Sequence, residues 1–250
     1  MTVSPAQKPG LGTVVITGSS GVIGKILTNG LPHRIRCLDL PDCDIRSYEN
    51  LLTAMQGSKA VVHLAWETQR DNFRSEYLDA DNILMAFNVY RAAVECGVRR
   101  VIMASSVHAD NGPTQKYTGL KSAYSLPIPD SPYGAGKCAV ESLGRYYATG
   151  KELEVVCLRF GAVNSENAPP TTSQYERKVW LSNQDCVNLT ARCIDAEPIP
   201  ERYSIIYGVS NNEGRVHDID NPVGWSPLDG AENLNGSTGA TRCSGHSERS

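Results

Sequence analysis

The chain has 250 residues, of which 40% are hydrophobic and 20% are charged, and its formal net charge at pH 7 is -3. This length and composition fit one globular domain with a sizeable apolar core, and they exclude a fibrous or disordered protein. The slightly acidic balance lacks the clustered Lys and Arg that nucleic acid or an anionic membrane surface requires, so we expect a small molecule as partner.

Targeting and metal signals are missing from the sequence. No apolar run approaches the roughly 18 residues needed to span a bilayer, and residues 1–10 lack the charged-then-apolar order of a secretion signal. We therefore expect a cytoplasmic protein that binds neither membrane nor nucleic acid. The sequence has no CxxC pair and its five histidines share no metal-ligand spacing, so we predict no metal site.

Apolar runs of strand length alternate with segments of helical spacing along most of the chain. The predicted strands are 13–17, 33–39, 60–64, 101–104, 154–158 and 204–208, and the predicted helices are 21–31, 47–55, 76–96, 132–149 and 182–196. This alternation needs crossover connections between strands. It predicts an α/β fold, a Rossmann-type doubly wound parallel sheet with helices on both faces and a small C-terminal cap.

Some details of this organisation follow from local spacing. Gly150 is expected to follow the last residue of the helix that Pro132 opens. Only residues 40–46 separate Asp39 from Ser47, too few for a parallel crossover of about a dozen residues, so the third strand of the usual order is expected to be vestigial or absent. The predicted organisation is a flexible N-terminus at 1–10, one Rossmann domain with its cap elements at 11–230 and a disordered tail at 231–250.

The segment 17–24, TGSSGVIG, lies where the first strand turns into the first helix. Glycines there let a backbone approach a pyrophosphate, and the helix N-terminus offers N–H groups and a positive dipole. Asp39 ends the second strand about 20 residues later, where a carboxylate accepts hydrogen bonds from the adenosine ribose and repels a 2′-phosphate. No Arg directly follows Asp39. These features predict NAD rather than NADP.

Tyr133 and Lys137 are four positions apart and share one face of a predicted helix. A cation near the phenol favours phenolate, which suits proton abstraction from an alcohol. Ser105 and Ser106 follow the fourth strand at the carboxyl edge of the sheet, where open parallel sheets bind ligands. We expect Ser106 to hydrogen-bond the reacting hydroxyl. A Tyr–Lys spacing alone is weak, but together with the glycine turn it predicts a dehydrogenase site.

These motifs resemble the extended short-chain dehydrogenase/reductase family, also called the NAD-dependent epimerase/dehydratase family, over about residues 12–225. The resemblance also rests on Asp44-Ile45, His63-Leu64-Ala65, Asn82 and Leu158-Arg159-Phe160-Gly161. Within the family, segments such as SSVHA and SPYGAGKCAVESLGRYY are most similar to uronate dehydrogenases and related aldose and sugar-phosphate dehydrogenases. The resemblance implies NAD-dependent oxidation of the anomeric carbon of a sugar to the lactone.

The resemblance also implies roles for individual residues. Tyr133 is implied as the base, Lys137 as its helper and ribose contact, and Ser106 as the group that orients the substrate. The implied cofactor contacts are Gly18, Gly21, Val22, Ile23, Gly24, Asp39, Leu40, Asp44, Ile45, Leu64, Ala65 and Asn82, together with Tyr133 and Lys137. The implied substrate contacts are Thr68, Ser106, His108 and Arg177. For His108 and Arg177 the alternatives are a polar loop residue and an exposed surface charge.

Departures from the family pattern leave the sugar open. Val107 stands where uronate dehydrogenases have Asn, and the spacing from Arg177 to Trp180 is shorter than in the relatives. One alternative is a nucleotide-sugar epimerase or dehydratase, which usually carries a larger C-terminal domain. Another is a dinucleotide-binding regulator without catalysis, which has no need for the Tyr–Lys–Ser set. The helices predicted at 76–96 and 132–149 also offer faces for a homodimer.

Overall fold

Six parallel strands form one sheet, and the computed structural model describes residues 12–111 and 119–233. The strands are β1 (Thr13–Thr17), β2 (Arg34–Leu38), β3 (Ser58–His63), β4 (Arg100–Ser106), β5 (Glu154–Phe160) and β6 (Tyr203–Gly208). The helices are α1 (Val22–Gly30), α2 (Tyr48–Met55), α3 (Ala80–Glu95), α4 (Pro132–Lys151), α5 (Gln174–Lys178) and α6 (Asn183–Asp195). Every neighbouring pair of strands is parallel. The predicted Rossmann-type α/β fold is confirmed.

Both faces of the sheet are buried because successive residues of each strand point to opposite layers. Val15 and Val61 pack in the cluster that contains α2, α3 and α4. Their neighbours Val14 and Val62 pack in the cluster that contains α1 and α6. A strand covered on both sides has no polar face, so its sequence is a nearly continuous apolar run.

The sheet lacks the third strand of the usual order, as the short spacing after β2 predicted. Its order is β2-β1-β3-β4-β5-β6, and residues 39–47, all described, contain no strand. The chain therefore leaves β1 for β2 on one side and returns past β1 to β3 on the other. This reversal opens a crevice at the carboxyl ends of β1 and β3, the position where open α/β sheets bind ligands.

Two helix boundaries differ from prediction. Helix α3 begins at Ala80, not at residue 76, because the Asp79 N–H donates to the Asp71 carboxylate and the Asp79 carboxylate caps the helix. Helix α4 continues through Gly150 to Lys151, and Glu152 takes the left-handed conformation expected of Gly150. Helix α5 was not predicted. For α3 and α4, the local sequence pattern predicted the helix but not the residue at which α3 begins or α4 ends.

The predicted flexible N-terminus at 1–10 lies outside the described residues, as does 234–250 of the predicted tail. The structure does describe 231–233, which form a turn against the domain. Ala231 is fully buried, and its N–H donates to the Asn212 side chain at 3.0 Å. Residues 231–233, assigned to the disordered tail, are therefore packed against the domain.

None of the described helices is long and apolar enough to cross a membrane. Across 12–111 and 119–233, no three His, Cys, Asp or Glu side chains are grouped so as to hold a metal ion. The seven cysteines in these ranges all carry free thiols.

A buried ion pair joins the sheet to α6 at the amino-terminal edge. Arg100, only 1% exposed, donates from Nη2 to Glu154 Oε2 at 2.6 Å and from Nη1 to the Cys193 carbonyl at 2.6 Å. The pair connects β4, β5 and α6.

Replacing Glu154 by Gln is expected to lower the free energy of unfolding by about 3 kcal/mol, because it leaves the Arg100 charge buried without a counter-charge. Urea unfolding measures the change. Glu152→Gln, on a side chain that is 87% exposed, is the matched control and is expected to cost at most about 0.5 kcal/mol. Equal losses in the two variants would contradict a structural role for the pair.

Candidate active site

A cleft of about 770 Å³ opens at the carboxyl edge of the sheet, over the reversal between β1 and β3. Most of the predicted site residues line it. They are Gly18, Gly21, Val22, Ile23, Gly24, Asp39, Leu40, Asp44, Ile45, Leu64, Ala65, Thr68, Asn82, Ser106, Tyr133 and Lys137. The structure does not place His108 or Arg177 in the lining.

The three glycines of the loop after β1 serve different purposes. Gly18 has a φ of +70°, and a Cβ there would lie 2.6 Å from the Ala65 nitrogen. A Cβ at Gly24 would overlap the Gly18 carbonyl, so these two glycines are needed for the packing of the chain on itself. A Cβ at Gly21 would meet only the Gly18 carbonyl, at 3.4 Å. Gly21 is thus the glycine that leaves backbone open to a ligand.

The N-terminus of α1 has no protein cap. Its N-cap residue is Gly21, which has no side chain to accept a backbone N–H, and the first turn contains no acidic residue. Helices α2 to α6 each begin with a Ser or Asp whose side chain accepts a backbone N–H. The first N–H groups of α1 lack acceptors within the helix and carry its positive dipole. These residues fit the pyrophosphate of a dinucleotide.

Asp39 follows the last residue of β2 and contacts the glycine loop that precedes α1. Its Oδ2 accepts the Ser20 N–H at 2.7 Å and its Oδ1 accepts the Leu40 N–H at 2.9 Å. The carboxylate is therefore held rigidly in the cleft, with lone pairs left for two hydroxyl groups. This arrangement fits an adenosine ribose, and its charge would repel a 2′-phosphate.

Asn82 lines the cleft, but its side chain binds the protein. The amide oxygen accepts the Glu67 N–H at 2.8 Å, and the amide nitrogen donates to Asp71 Oδ2 at 2.8 Å. Asn82 is fully buried. It therefore holds the segment after β3 against α3, a role that its sequence position does not reveal.

The serine pair divides between two sites because neighbouring strand residues face opposite ways. Ser105 donates to Glu141 Oε1 at 2.5 Å, on the inner side of α4. Ser106 lies beside Tyr133: burial raises the pKa of the phenol, and hydrogen bonding with Ser106 opposes that rise. Of the two serines, Ser106 is the one whose side chain faces Tyr133 in the cleft.

Burial dominates the titration of the Tyr–Lys pair. It raises the pKa of Tyr133 to about 12, against the opposing hydrogen bond with Ser106. Burial also lowers the pKa of Lys137 to about 7, against the nearby carboxylates of Asp71 and Glu141. The expected lowering of the Tyr133 pKa by Lys137 is absent from the protein alone. The reason is desolvation, which disfavours the charged form of both groups.

Lys137 has partners that the sequence did not suggest. Its Nζ donates to the Ala104 carbonyl at 3.0 Å and lies 3.5 Å from the centre of the Trp66 ring. Glu141, one turn further along α4, binds Arg159 through both carboxylate oxygens at 2.8 Å. The continuation of the Tyr–Lys spacing to Glu141 is a signal that sequence reasoning could have used, whereas nothing in the sequence marks Trp66.

The two predicted substrate residues outside the lining have different surroundings. The His108 ring centre lies 6.0 Å from that of Tyr133 and stacks on Phe73 at 4.2 Å. Arg177 donates to the Ala231 carbonyl at 2.7 Å and lies 3.9 Å from Glu232. The structure brings His108 to Tyr133, but it holds Arg177 against the turn at residues 231–233.

The fold and the cleft define a dinucleotide-binding Rossmann protein. The model of the NAD dependent epimerase/dehydratase family matches residues 14–184. The chain belongs to this family.

Characterised relatives of the chain act on sugars. The NAD-dependent glucose-6-phosphate dehydrogenase of Haloferax volcanii is 30% identical, over 86% of this chain and 93% of that protein. The uronate dehydrogenase of Pseudomonas putida is 27% identical, over 93% of this chain and 88% of that protein. A solved structure of a mutated uronate dehydrogenase superposes with a TM-score of 0.77 at 26% identity, over 90% of this chain and 85% of the other.

Replacing Asp39 by Asn is expected to weaken NADH binding and to strengthen NADPH binding, each by about tenfold, because it removes a charged acceptor and its repulsion of phosphate. Titration of both cofactors by fluorescence measures the change. Asp42→Asn is the control of equal charge, since Asp42 is exposed and outside the lining. An unchanged ratio of the two affinities in Asp39→Asn would remove Asp39 from cofactor selection.

Proposed function

We propose that the chain is an NAD-dependent dehydrogenase that oxidises the anomeric carbon of an aldose, hexuronate or sugar phosphate to the lactone. The observation that carries the proposal is that Tyr133, Lys137 and Ser106 line one cleft together with Asp39 and the open end of α1. The sugar dehydrogenases among the relatives support the substrate class.

The cleft would hold NAD along the edge of the sheet. The N–H groups at Gly21, Val22 and Ile23 would bind the pyrophosphate, and Asp39 would bind the adenosine ribose. When bound, NAD supplies the hydride acceptor, in a ring that carries positive charge. Lys137 would donate one N–H bond to a hydroxyl of the nicotinamide ribose.

Tyr133 would take the proton of the anomeric hydroxyl while the carbon beneath it loses hydride. Since burial raises the pKa of Tyr133 to about 12, the phenolate needs compensation from positive charge and from hydrogen bonds. Ser106 supplies one hydrogen bond, and the Lys137 ammonium supplies charge on the same helix face. The sugar loses one hydride and one proton, so the product is the lactone.

The side of Tyr133 next to His108 is where we place the sugar. His108 lies between Phe73 and Tyr133, and its Nδ1 bonds to the Asp130 carboxylate at 2.7 Å. Because Asp130 fixes the ring through Nδ1, Nε2 is the nitrogen left for a sugar hydroxyl. Thr68 lines the cleft nearby. We assign sugar contacts to His108, Thr68 and Ser106 rather than to Arg177.

Formation of NADH with a panel of glucuronate, galacturonate, glucose 6-phosphate, arabinose and glucose tests the proposal. At least one sugar is expected to be oxidised, and Tyr133→Phe is expected to lower that rate by about a thousandfold, because it removes the general base. Tyr146→Phe is the matched control on the same helix, on a side chain that is 58% exposed.

Each outcome of this panel has a meaning. Oxidation of a sugar by wild type and Tyr146→Phe, but not by Tyr133→Phe, supports the mechanism. Tight NADH binding with no sugar oxidised would overturn the proposed reaction and favour the epimerase or regulator interpretation.

We further propose that the enzyme works in the cytoplasm on a free sugar. The free thiols of the described cysteines fit a reducing compartment. The acidic balance of the sequence gives no support for binding to nucleic acid or to an anionic membrane.

A homodimer is part of the proposal. Helices α3 and α4 pack side by side on one face of the sheet, and large apolar side chains remain exposed on them, with Leu84 at 50% and Tyr146 at 58%. Pairing of these helices across a two-fold axis would bury both patches.

Light scattering is expected to give twice the mass of one chain for the wild type and the mass of one chain for Leu84→Asp, because a charge in an apolar interface is costly. Leu126→Asp, on a side chain that is 85% exposed and outside these helices, is expected to leave the mass unchanged. A wild-type mass equal to one chain would reject the dimer.

A further inference from the structure

Trp66 lies against the catalytic lysine at the inner end of the cleft. The Lys137 Nζ is 3.5 Å from the centre of the Trp66 ring. The same ring meets Tyr133 edge-on, with ring centres 5.9 Å apart and planes at 87°. Trp66 also lines the cleft. One aromatic side chain therefore contacts both members of the Tyr–Lys pair.

The position of the ring is fixed by its surroundings. The peptide that follows Trp66 is anchored, because the Glu67 N–H donates to the Asn82 side chain at 2.8 Å. On the other side the ring packs over Gly136 of α4, where a Cβ would lie 3.4 Å from the ring and 2.9 Å from Leu78. The absence of a side chain at position 136 thus leaves room for both Trp66 and Leu78 against α4.

The contacts of Lys137 account for two of its three N–H bonds. One donates to the Ala104 carbonyl at 3.0 Å, and the face of Trp66 attracts the positive charge of the ammonium. One N–H bond is left for groups in the cleft. Burial lowers the pKa of Lys137 to about 7, so at neutral pH its charge depends on such contacts.

We propose that Trp66 is a positioning residue for the dehydrogenase: its ring keeps Lys137 charged and directs one N–H bond of the ammonium into the cleft. The inference rests on the proposed function for the role of that N–H bond in binding the nicotinamide ribose. It adds a residue that acts through Lys137 and assigns it no chemical step.

Other titratable groups around Lys137 come from three elements. His63 lies on β3, Asp71 on the segment after it, and Tyr133 and Glu141 on α4. Burial lowers the pKa of His63 to about 3 and raises that of Tyr133 to about 12, so neither changes charge near neutral pH. Asp71 and Glu141 are present in every Trp66 variant, because these variants differ only at position 66. A difference between such variants near neutral pH therefore reports on Lys137.

The test is the pH dependence of the NADH dissociation constant in wild type, Trp66→Phe and Trp66→Leu. Binding is expected to weaken as pH rises through the pKa of Lys137, because the neutral amine loses its charge. In Trp66→Leu the pH midpoint of this change in NADH affinity is expected to fall by about one pH unit, because the aromatic face that favours the ammonium is gone. One pH unit equals a tenfold loss in the proton affinity of Lys137. Trp66→Phe keeps a face and is expected to retain most of the wild-type midpoint.

A second measurement changes the electron density of the Trp66 ring with little change in the size of the side chain. Fluorinated tryptophan has nearly the same size, but fluorine withdraws electron density from the ring face and weakens its attraction for a cation. Incorporated at all three tryptophans, it is expected to lower the midpoint in steps as fluorine atoms are added. The same labelling in Trp66→Phe is expected to produce no such steps, which excludes effects from Trp180 and Trp225.

Midpoints that are equal in wild type, Trp66→Leu and the fluorinated series would overturn the inference. If Trp66→Leu fails to fold, the fluorinated series alone decides. Failure of the proposed function has a different signature: wild type would bind NADH with a pH-dependent affinity that follows Trp66 substitution, yet oxidise no sugar. The two failures are therefore distinguishable.

Discussion

The ion pair between Glu141 and Arg159 sets the position of α4 on the sheet. Both side chains are buried, both carboxylate oxygens are used at 2.8 Å, and Ser105 adds a hydrogen bond of 2.5 Å. A buried pair is favourable only when its geometry and hydrogen bonds are nearly complete, so the helix has little freedom to slide. Because the rise of a helix is fixed, Lys137 and Tyr133 follow one and two turns away, at the cleft. The anchor thus helps to place Tyr133 and Lys137 at the cleft, where Ser106 also lies.

The protein alone disfavours the charges that the proposed reaction needs. Desolvation moves the pKa of Tyr133 up to about 12 and that of Lys137 down to about 7, so burial opposes the charged form of both groups. A phenolate beside an ammonium restores a favourable pair in a site of low dielectric constant. The surrounding dipoles and the aromatic ring of Trp66 are fixed before any ligand enters. The site therefore has groups in place that favour the charged state, although burial opposes it.

What the sequence predicted well depended on neighbours along the chain. The strands, the glycine turn, Asp39 and the missing third strand follow from periodicity, φ preference and segment length, and all of these are local properties. What it did not predict depended on partners far away in sequence. The Asn82 amide accepts a backbone N–H from the segment after β3, and Arg177 donates to the Ala231 carbonyl. Trp66 contacts Lys137, which lies on a different element of the fold. Position in a motif cannot show such partners, because they exist only after folding.

Without a third strand, β2 is the outer strand of the sheet, and among residues 12–111 and 119–233 no strand pairs with its edge on the side away from β1. An open edge is a template for pairing with another chain and invites aggregation. This strand is short and carries Arg34, which is exposed, and Arg36, whose guanidinium donates to the carbonyls of Ala54 and Gln56. An incoming strand would have to displace charged side chains and their bonds. The charged side chains of β2 thus protect this edge of the sheet against pairing with another chain.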